Sequence, residues 1–143
     1  MGKLSARRAL SVIAVADTNA LIWYIYDSPR LTTNAREIFE QVAQGDDVIG
    51  FSSISLAEIV YLEEANRIPE DSLAYLLESV DIADPILAEV PFDRQIAQAM
   101  PLVERAQIPD LPDRIFSATA IHFDVPLITS DRKIRSSNVE TLW

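Results

Sequence analysis

Short apolar runs alternate along the chain with longer segments in which apolar residues recur at helical spacing. The short runs are rich in β-branched residues and end at polar or turn-forming residues, a pattern typical of buried strands. They predict five strands, the last of them short, in the segments SVIAVA (11–16), VIGFSS (48–53), ILAEVPF (86–92), PLIT (126–129) and VETLW (139–143).

The longer segments predict helices. In LTTNAREIFEQVAQGDD (31–47), the apolar residues fall on one helical face. Thr32 or Thr33 is the predicted N-cap of this helix, and Gly45 is the residue at which we expect it to stop. The other predicted helices cover residues 20–26, 55–67, 69–80, 93–100 and 113–123.

Strands that alternate with helices indicate an α/β fold, in which helices cover both faces of a parallel sheet. The chain has 143 residues, of which 49% are hydrophobic. This length suits one domain with its own core. We therefore expect a single folded domain without an internal linker.

Acidic residues recur where the predicted strands end. Asp17 follows the first strand directly, and Asp131 follows PLIT closely. Glu58 lies early in the helix after VIGFSS, and Asp113 starts the helix that precedes PLIT. Because sites in parallel sheets form at the carboxyl ends of the strands, these four acids are expected at one edge.

Four carboxylates at one edge repel one another, since two of them about 5 Å apart repel by roughly 3 kcal/mol. The group is stable only if positive charge offsets this repulsion. A divalent cation would supply it, and oxygen ligands without Cys or His suit Mg²⁺ or Mn²⁺. Each acid also has a structural alternative. Asp17, Asp110 and Asp131 could cap helices, and Ser55 with Glu58 has the spacing of a capping box.

Net charge and cysteine content limit the kind of nucleic-acid binding, the kind of metal site and the compartment that we expect. The formal net charge is −10, so broad binding of a phosphate backbone over a basic surface is disfavoured. The absence of cysteine excludes thiolate metal sites and fits a reducing compartment. A secretion signal ending before Asp17 would remove the first predicted core strand. We therefore expect a cytoplasmic protein without membrane association.

Taken in order, five segments of the chain resemble the PIN-domain ribonucleases, in particular the VapC-like toxins of type II toxin–antitoxin systems. DLPDRIFSATA followed by PLITSD is the most specific part of the resemblance. The matching segments are ADTNALIWYI (16–25), FSSISLAEI (51–59), PFDRQIAQAM (91–100), DLPDRIFSATAIHFDVPLITSDRKI (110–134) and VETLW (139–143).

The resemblance implies a three-layer α/β/α domain with a central, mainly parallel sheet of four to five strands over residues 12–143. Residues 1–11 would then be an N-terminal extension. It also implies an endoribonuclease that uses metal-activated water, with one or two Mg²⁺ or Mn²⁺ ions per site. The catalytic and metal-binding acids would be Asp17, Glu58, Asp113 and Asp131, with Thr18, Asn19, Asp110 and Ser130 as accessory residues.

The cations near these acids are the candidates for phosphate contacts: Arg114, Arg132 and Lys133. Arg114 could instead pair with a neighbouring acid. As a toxin, the protein would act on RNA, bind an antitoxin protein and form a homodimer or a higher oligomer.

Two other functions remain open, namely a PIN-domain protein of RNA processing and a non-catalytic module that binds RNA or protein. A receiver-type role for Asp17 is disfavoured, because DTN lacks a second acid two residues on and no lysine stands directly after a late strand.

Overall fold

A computed structural model describes residues 11–143, so all of the predicted N-terminal extension except Ser11 lies outside the described residues. Five parallel strands form one sheet in the order β3-β2-β1-β4-β5. The prediction of a parallel α/β sheet is confirmed. The strands are β1 (Val12–Ala16), β2 (Val48–Ser52), β3 (Leu87–Val90), β4 (Leu127–Ile128) and β5 (Thr141–Leu142).

Helices connect the strands. They are α1 (Thr18–Ile25), α2 (Thr33–Ala43), α3 (Ile54–Glu64), α4 (Ser72–Asp81), α5 (Arg94–Ala99), a 3₁₀ turn (Met100–Leu102), α6 (Leu111–Phe123) and α7 (Arg132–Arg135). None of the described helices has the length and apolar character needed to cross a membrane.

Side chains that alternate along β1 build two cores, one on each face of the sheet. Ala14 and Ala16 face a cluster formed with α1 to α4, whereas Val15 faces a second cluster formed with α5, α6 and α7. All three residues are fully buried. Both faces are thus covered, which gives the predicted three-layer α/β/α arrangement.

Three helices end at an acidic or amide residue in the left-handed backbone conformation. Asp27, Asn66 and Asp124 have φ values of 50°, 58° and 56°. Asn and Asp tolerate this conformation better than other residues with a side chain. The predicted stop at Gly45 is confirmed, since α2 ends at Ala43 with Gln44 as its C-cap and Gly45 directly after it. Gly45 stops this helix without a left-handed backbone, because no described glycine has a positive φ.

The chain changes direction across the sheet next to β1. It first builds β2 and β3 on one side of β1, and then returns to place β4 on the other side. Such a switch point leaves a crevice at the carboxyl ends of the two central strands. Asp17 follows one of these strands, and Asp131 follows the other closely.

Candidate active site

Asp17 is buried at the carboxyl end of β1, with only 7% of its surface exposed. Its Oδ1 accepts a hydrogen bond from the backbone N–H of Ala20 at 2.9 Å, so it caps α1. Burial raises the pKa of Asp17 to about 6, and the charges of Asp131 and Glu58 add to the rise. Hydrogen bonds from Thr129 and Ala20 oppose it.

Asp131 lies across the crevice because β1 and β4 are paired, with Ala16 opposite Ile128. It caps α7, since its Oδ1 accepts from the N–H of Ile134 at 3.0 Å. Its own N–H donates to Thr129 Oγ1 at 3.0 Å. Thr129 is fully buried and lies between the two aspartates, although sequence reasoning did not single it out.

Glu58 comes to the edge from α3 and is held by α1. The Thr18 hydroxyl donates to Glu58 Oε1 at 2.6 Å, and the Oγ atoms of Thr18 and Ser55 lie 2.8 Å apart. The predicted capping box is wrong, because α3 begins at Ile54 and Ser55 is inside the helix. Glu58 is therefore positioned by tertiary contacts rather than by a local cap.

Asp113 belongs to the first turn of α6, which begins two residues earlier than predicted. Asp110 caps this helix, since its Oδ2 accepts from the N–H of Asp113 at 3.1 Å. The pKa of Asp113 is raised to about 7, first by burial and then by the charges of Asp110, Asp131, Asp17 and Glu58. The four predicted acids and Asp110 thus act on one another electrostatically.

Two cavities meet at Asp113. The larger, of about 620 Å³, is lined by Asp17, Thr18, Asn19, Ile54, Ala57, Glu58, Tyr61, Leu62, Arg67, Pro112, Asp113 and Phe116. The smaller, of about 340 Å³, is lined by Ile108, Pro109, Asp110, Asp113, Asp131, Arg132 and Lys133. They are called the larger and the smaller cavity below.

Two predicted site residues line neither cavity. Arg114 donates from Nε to the backbone carbonyl of Val103 at 3.1 Å, so it supports the segment before α6 and forms no ion pair with a described acid. Ser130 is partly buried beside Asp131. Conversely, Tyr61 and Arg67 line the larger cavity and were not predicted as residues of the active site. The spacing of Tyr61 three residues after Glu58 could have indicated it, because such residues share a helical face.

The donors at this edge suit a magnesium or manganese ion in kind, since they are carboxylate and hydroxyl oxygens. Across residues 11–143, however, no three acidic or imidazole side chains are arranged to hold one ion between them. Asp17, Asp110 and Asp131 each direct an oxygen to a helix N-terminus instead. Mg²⁺ commonly keeps several waters and needs only one or two carboxylates, so the residues present fit such an ion.

Solved structures with a similar fold include toxin–antitoxin proteins. VapBC2 from Rickettsia felis, bound to a promoter DNA fragment, is 19% identical with a TM-score of 0.64, covering 91% of this chain and 96% of that chain. DNA-bound VapBC from Salmonella typhimurium is 22% identical with the same TM-score and coverage. FitAcB from Neisseria gonorrhoeae is 18% identical with a TM-score of 0.60, covering 90% and 96%.

At these identities the likeness shows a shared fold. Comparison with curated proteins gives no match. The model of the PIN domain family matches residues 14–138, a range that holds all four strand-edge acids and both cavities. This chain therefore belongs to the PIN domain family.

Proposed function

We propose that this protein is a metal-dependent endoribonuclease that hydrolyses RNA phosphodiester bonds. One observation carries the proposal: Asp17, Glu58, Asp113 and Asp131 meet at the topological switch point of a PIN domain. Burial first, and then the charges of the neighbouring carboxylates, raise the pKa of Asp17 and Asp113, as expected of a site that gains from a bound cation.

Asp17, Asp113 and Asp131 would hold one or two Mg²⁺ or Mn²⁺ ions, each bound directly by at most two of these carboxylates and otherwise by water, with Glu58 acting through a water molecule. A bound ion supplies Lewis-acid polarisation of the phosphate and lowers the pKa of a water. The chain's own contacts orient the acids. Helix N-termini hold Asp17 and Asp131, and the Thr18 hydroxyl holds Glu58, so one oxygen of each is fixed.

Arg132 and Lys133 would bind the phosphates next to the cleaved bond. Both are exposed and line the smaller cavity together with Asp113 and Asp131. They also line a further cavity of about 330 Å³ with Gln107 and Ser136, which extends the basic surface away from the acids. These cations concentrate positive charge where a phosphate would lie. The protein could therefore bind RNA locally although its net charge is −10.

We further propose that the nuclease is the toxin of a type II toxin–antitoxin pair, cytoplasmic, and active as a homodimer or higher oligomer. Support comes from the fold shared with the VapBC and FitAcB structures, together with the full set of strand-edge acids. A PIN-domain protein of RNA processing would have the same acids, and a non-catalytic module would bind RNA without cleaving it. These functions differ in growth inhibition and in cleavage.

The nuclease proposal is tested by incubating structured RNAs with wild type and Asp113→Asn in Mg²⁺, Mn²⁺ or chelator. Asp124→Asn is the matched control, because Asp124 lies at the opposite end of the same helix and Asn tolerates its left-handed backbone. We expect cleavage by wild type and Asp124→Asn that chelator abolishes, and none by Asp113→Asn. Cleavage that survives both chelator and Asp113→Asn would refute the proposal.

The toxin role is tested in cells. Induced expression of wild type should arrest growth, Asp113→Asn should not, and co-expression of a small protein encoded immediately upstream should restore growth. Normal growth with active nuclease would favour RNA processing instead.

A further inference from the structure

The larger cavity has a second part that the acids do not explain. Apart from the three acids and the polar Thr18 and Asn19 beside them, its lining is apolar except for one tyrosine and one arginine. The apolar residues of this wall are Ile54, Ala57, Leu62, Pro112 and Phe116. A site that only hydrolyses a phosphodiester has no need of an apolar wall, so this part suits another portion of the ligand.

Tyr61 has the most exposed large apolar side chain among residues 11–143, with 76% of its surface accessible. It lies on α3 one turn beyond Glu58, so both side chains are on the same side of the helix. Tyr75, which is 43% exposed on α4, lines a different cavity on the side of Arg36 and Glu40. An aromatic ring this exposed adds little to the core but offers a flat face beside the acids.

Arg67 lines the same cavity, and the end of α3 fixes the position of its backbone. The N–H of Arg67 donates to the carbonyl of Leu62 at 2.9 Å, and the N–H of Asn66 donates to that of Glu63 at 3.0 Å. With Asn66 left-handed, these bonds form a Schellman motif that turns the chain sharply after the helix. The motif fixes where the Arg67 backbone leaves α3, next to the cavity.

The charge of Arg67 has no acidic partner within the described part of the chain. Among the described residues, the one ion pair joins Arg36 to Asp27. Arg67 thus lacks a carboxylate partner there even though the chain has 22 acidic residues. An exposed guanidinium without a carboxylate partner, beside an aromatic ring, suits a phosphate next to a stacked base.

We propose that the larger cavity is a subsite for one unpaired nucleotide adjacent to the cleaved phosphate, with its base stacked on Tyr61 and its phosphate bound by Arg67. The inference rests on the proposed nuclease function and deepens it by assigning Tyr61 and Arg67 as the residues that bind the nucleotide beside the cut. Bases in an RNA duplex are stacked on both faces, whereas bases in loops and single strands can turn out onto an aromatic ring. The enzyme therefore requires an unpaired nucleotide beside the cut.

We assign RNA as the occupant because the cations on both sides of Asp113 are complementary to the negative charge of its phosphates. A phosphate chain that crosses the edge would meet Arg67 on one side of Asp113 and Arg132 with Lys133 on the other. The two cavities share Asp113, so one strand could occupy both.

The first test measures binding in chelator, where the proposed cleavage does not occur. The probes are a short unpaired oligoribonucleotide, the same strand annealed to its complement, and the unpaired strand with one abasic position. The variants are Tyr61→Ala, Tyr61→Phe, Arg67→Gln and, as an exposed tyrosine outside the site, Tyr75→Ala.

Tyr61→Ala should weaken binding of the unpaired strand about 5- to 150-fold, the range expected for loss of one base–aromatic stack. Tyr61→Phe and Tyr75→Ala should bind as wild type does, and Arg67→Gln should bind more weakly. Duplex binding should be the same for all Tyr61 variants. Equal affinity of wild type and Tyr61→Ala for the unpaired strand would overturn the subsite.

The second test uses cleavage in Mg²⁺. The abasic strand should raise KM for wild type and make wild type and Tyr61→Ala alike, since the missing base removes the stacking partner. A wild type that cleaves nothing but still prefers the unpaired strand in chelator would overturn the nuclease and leave the nucleotide subsite standing. Tyr61→Ala that loses only an antitoxin peptide, with RNA binding intact, would show a protein-docking surface instead and overturn the subsite.

Discussion

The larger and the smaller cavity share Asp113 but differ in almost every other side chain. The larger has an apolar wall, the exposed ring of Tyr61 and a single cation, Arg67. The smaller has two apolar lining residues, Ile108 and Pro109, and two adjacent cations, Arg132 and Lys133, beside Asp110 and Asp131. Each cavity thus has acids of its own beside the shared Asp113, while the other lining residues suit different parts of one ligand.

The two cavities would contribute to RNA affinity in different ways, the larger by base stacking and the smaller by contacts between cations and phosphates. Stacking on an aromatic face depends weakly on salt, whereas contacts between cations and phosphates release counterions and weaken steeply as salt rises. Under the proposed function, the larger cavity would select an unpaired nucleotide and the smaller would hold the backbone. The predictions below test whether the two sides act together and whether each acts as described.

The largest effect on the cleavage rate is expected when either cavity loses one of its own acids. Glu58→Gln removes a carboxylate of the larger cavity and Asp131→Asn one of the smaller, so each should reduce the cleavage rate about 100-fold or more. Initial rates in saturating Mg²⁺ are the measurement. Glu64→Gln, at the exposed end of α3, is the control. An Asp131→Asn enzyme that cleaves at the wild-type rate would place the smaller cavity outside the site.

A second effect concerns Asp113, which both cavities share. Its folded-state pKa is about 7 against an ordinary value of 3.8, so the folded protein holds this proton more tightly than the unfolded chain does. Its contribution to stability is therefore complete below pH 3.8 and is lost as pH rises to about 7. Asp17, with a pKa of about 6, should behave in the same way over a narrower range.

Urea unfolding in chelator at a series of pH values measures this contribution. The stability of wild type relative to Asp113→Asn should fall as pH rises through that range, and saturating Mg²⁺ should reduce the fall. A difference between the two proteins that is constant with pH would contradict the raised pKa.

A third and smaller effect distinguishes the cavities by salt. Arg132→Gln combined with Lys133→Gln should lower the slope of log affinity for single-stranded RNA against log salt by about 0.7 for each lost phosphate contact. Tyr61→Ala should weaken binding at every salt concentration and leave the slope unchanged. If the tyrosine variant changes the slope and the double variant does not, the assignment of the two cavities is reversed.

The smallest effect concerns how each side holds its cation. Asn66 in the left-handed conformation precedes Arg67, whereas Asp131 caps the helix that starts at Arg132. Asn66→Ala should lower the free energy of unfolding by about 1 kcal/mol, and Asn66→Gly should change it little. Urea unfolding measures both, with the exposed Asn138→Ala as a control at ordinary backbone angles. Equal stability of Asn66→Ala and Asn66→Gly would count against the motif.

Several features of the site could be predicted because they depend on near neighbours in the sequence. A buried run that ends in an aspartate places Asp17 at a strand end, and the same holds for Asp131 after PLIT. Their caps on α1 and α7 were predicted for the same reason and are confirmed. Such contacts join residues three positions apart, so local spacing determines them.

Other features depend on contacts that are distant in sequence. Thr18 holds Glu58 from a helix 40 positions away. The predicted capping box is wrong because α3 begins at Ile54, so that Ser55 is inside the helix. Similarly, α4 begins at Ser72 rather than near Pro69, and Glu63 of the preceding helix accepts from the N–H of Leu73 at 2.6 Å. Arg114 lies beside Asp113 in sequence, but its guanidinium turns to the carbonyl of Val103.

The sequence by itself determined the alternation of strands and helices, the positions of the acids at strand ends and the family to which the chain belongs. The alternation and the positions of the acids follow from hydrophobic period and local caps, which depend on residues a few positions apart. The family follows from the resemblance of the ordered segments and the match to the family model. Only the tertiary structure decided that Tyr61 and Arg67 share a cavity with the acids, and that Thr129 lies between Asp17 and Asp131. Packing of α3 against α1 and pairing of β4 with β1 bring these groups together, and local spacing carries no information about such contacts.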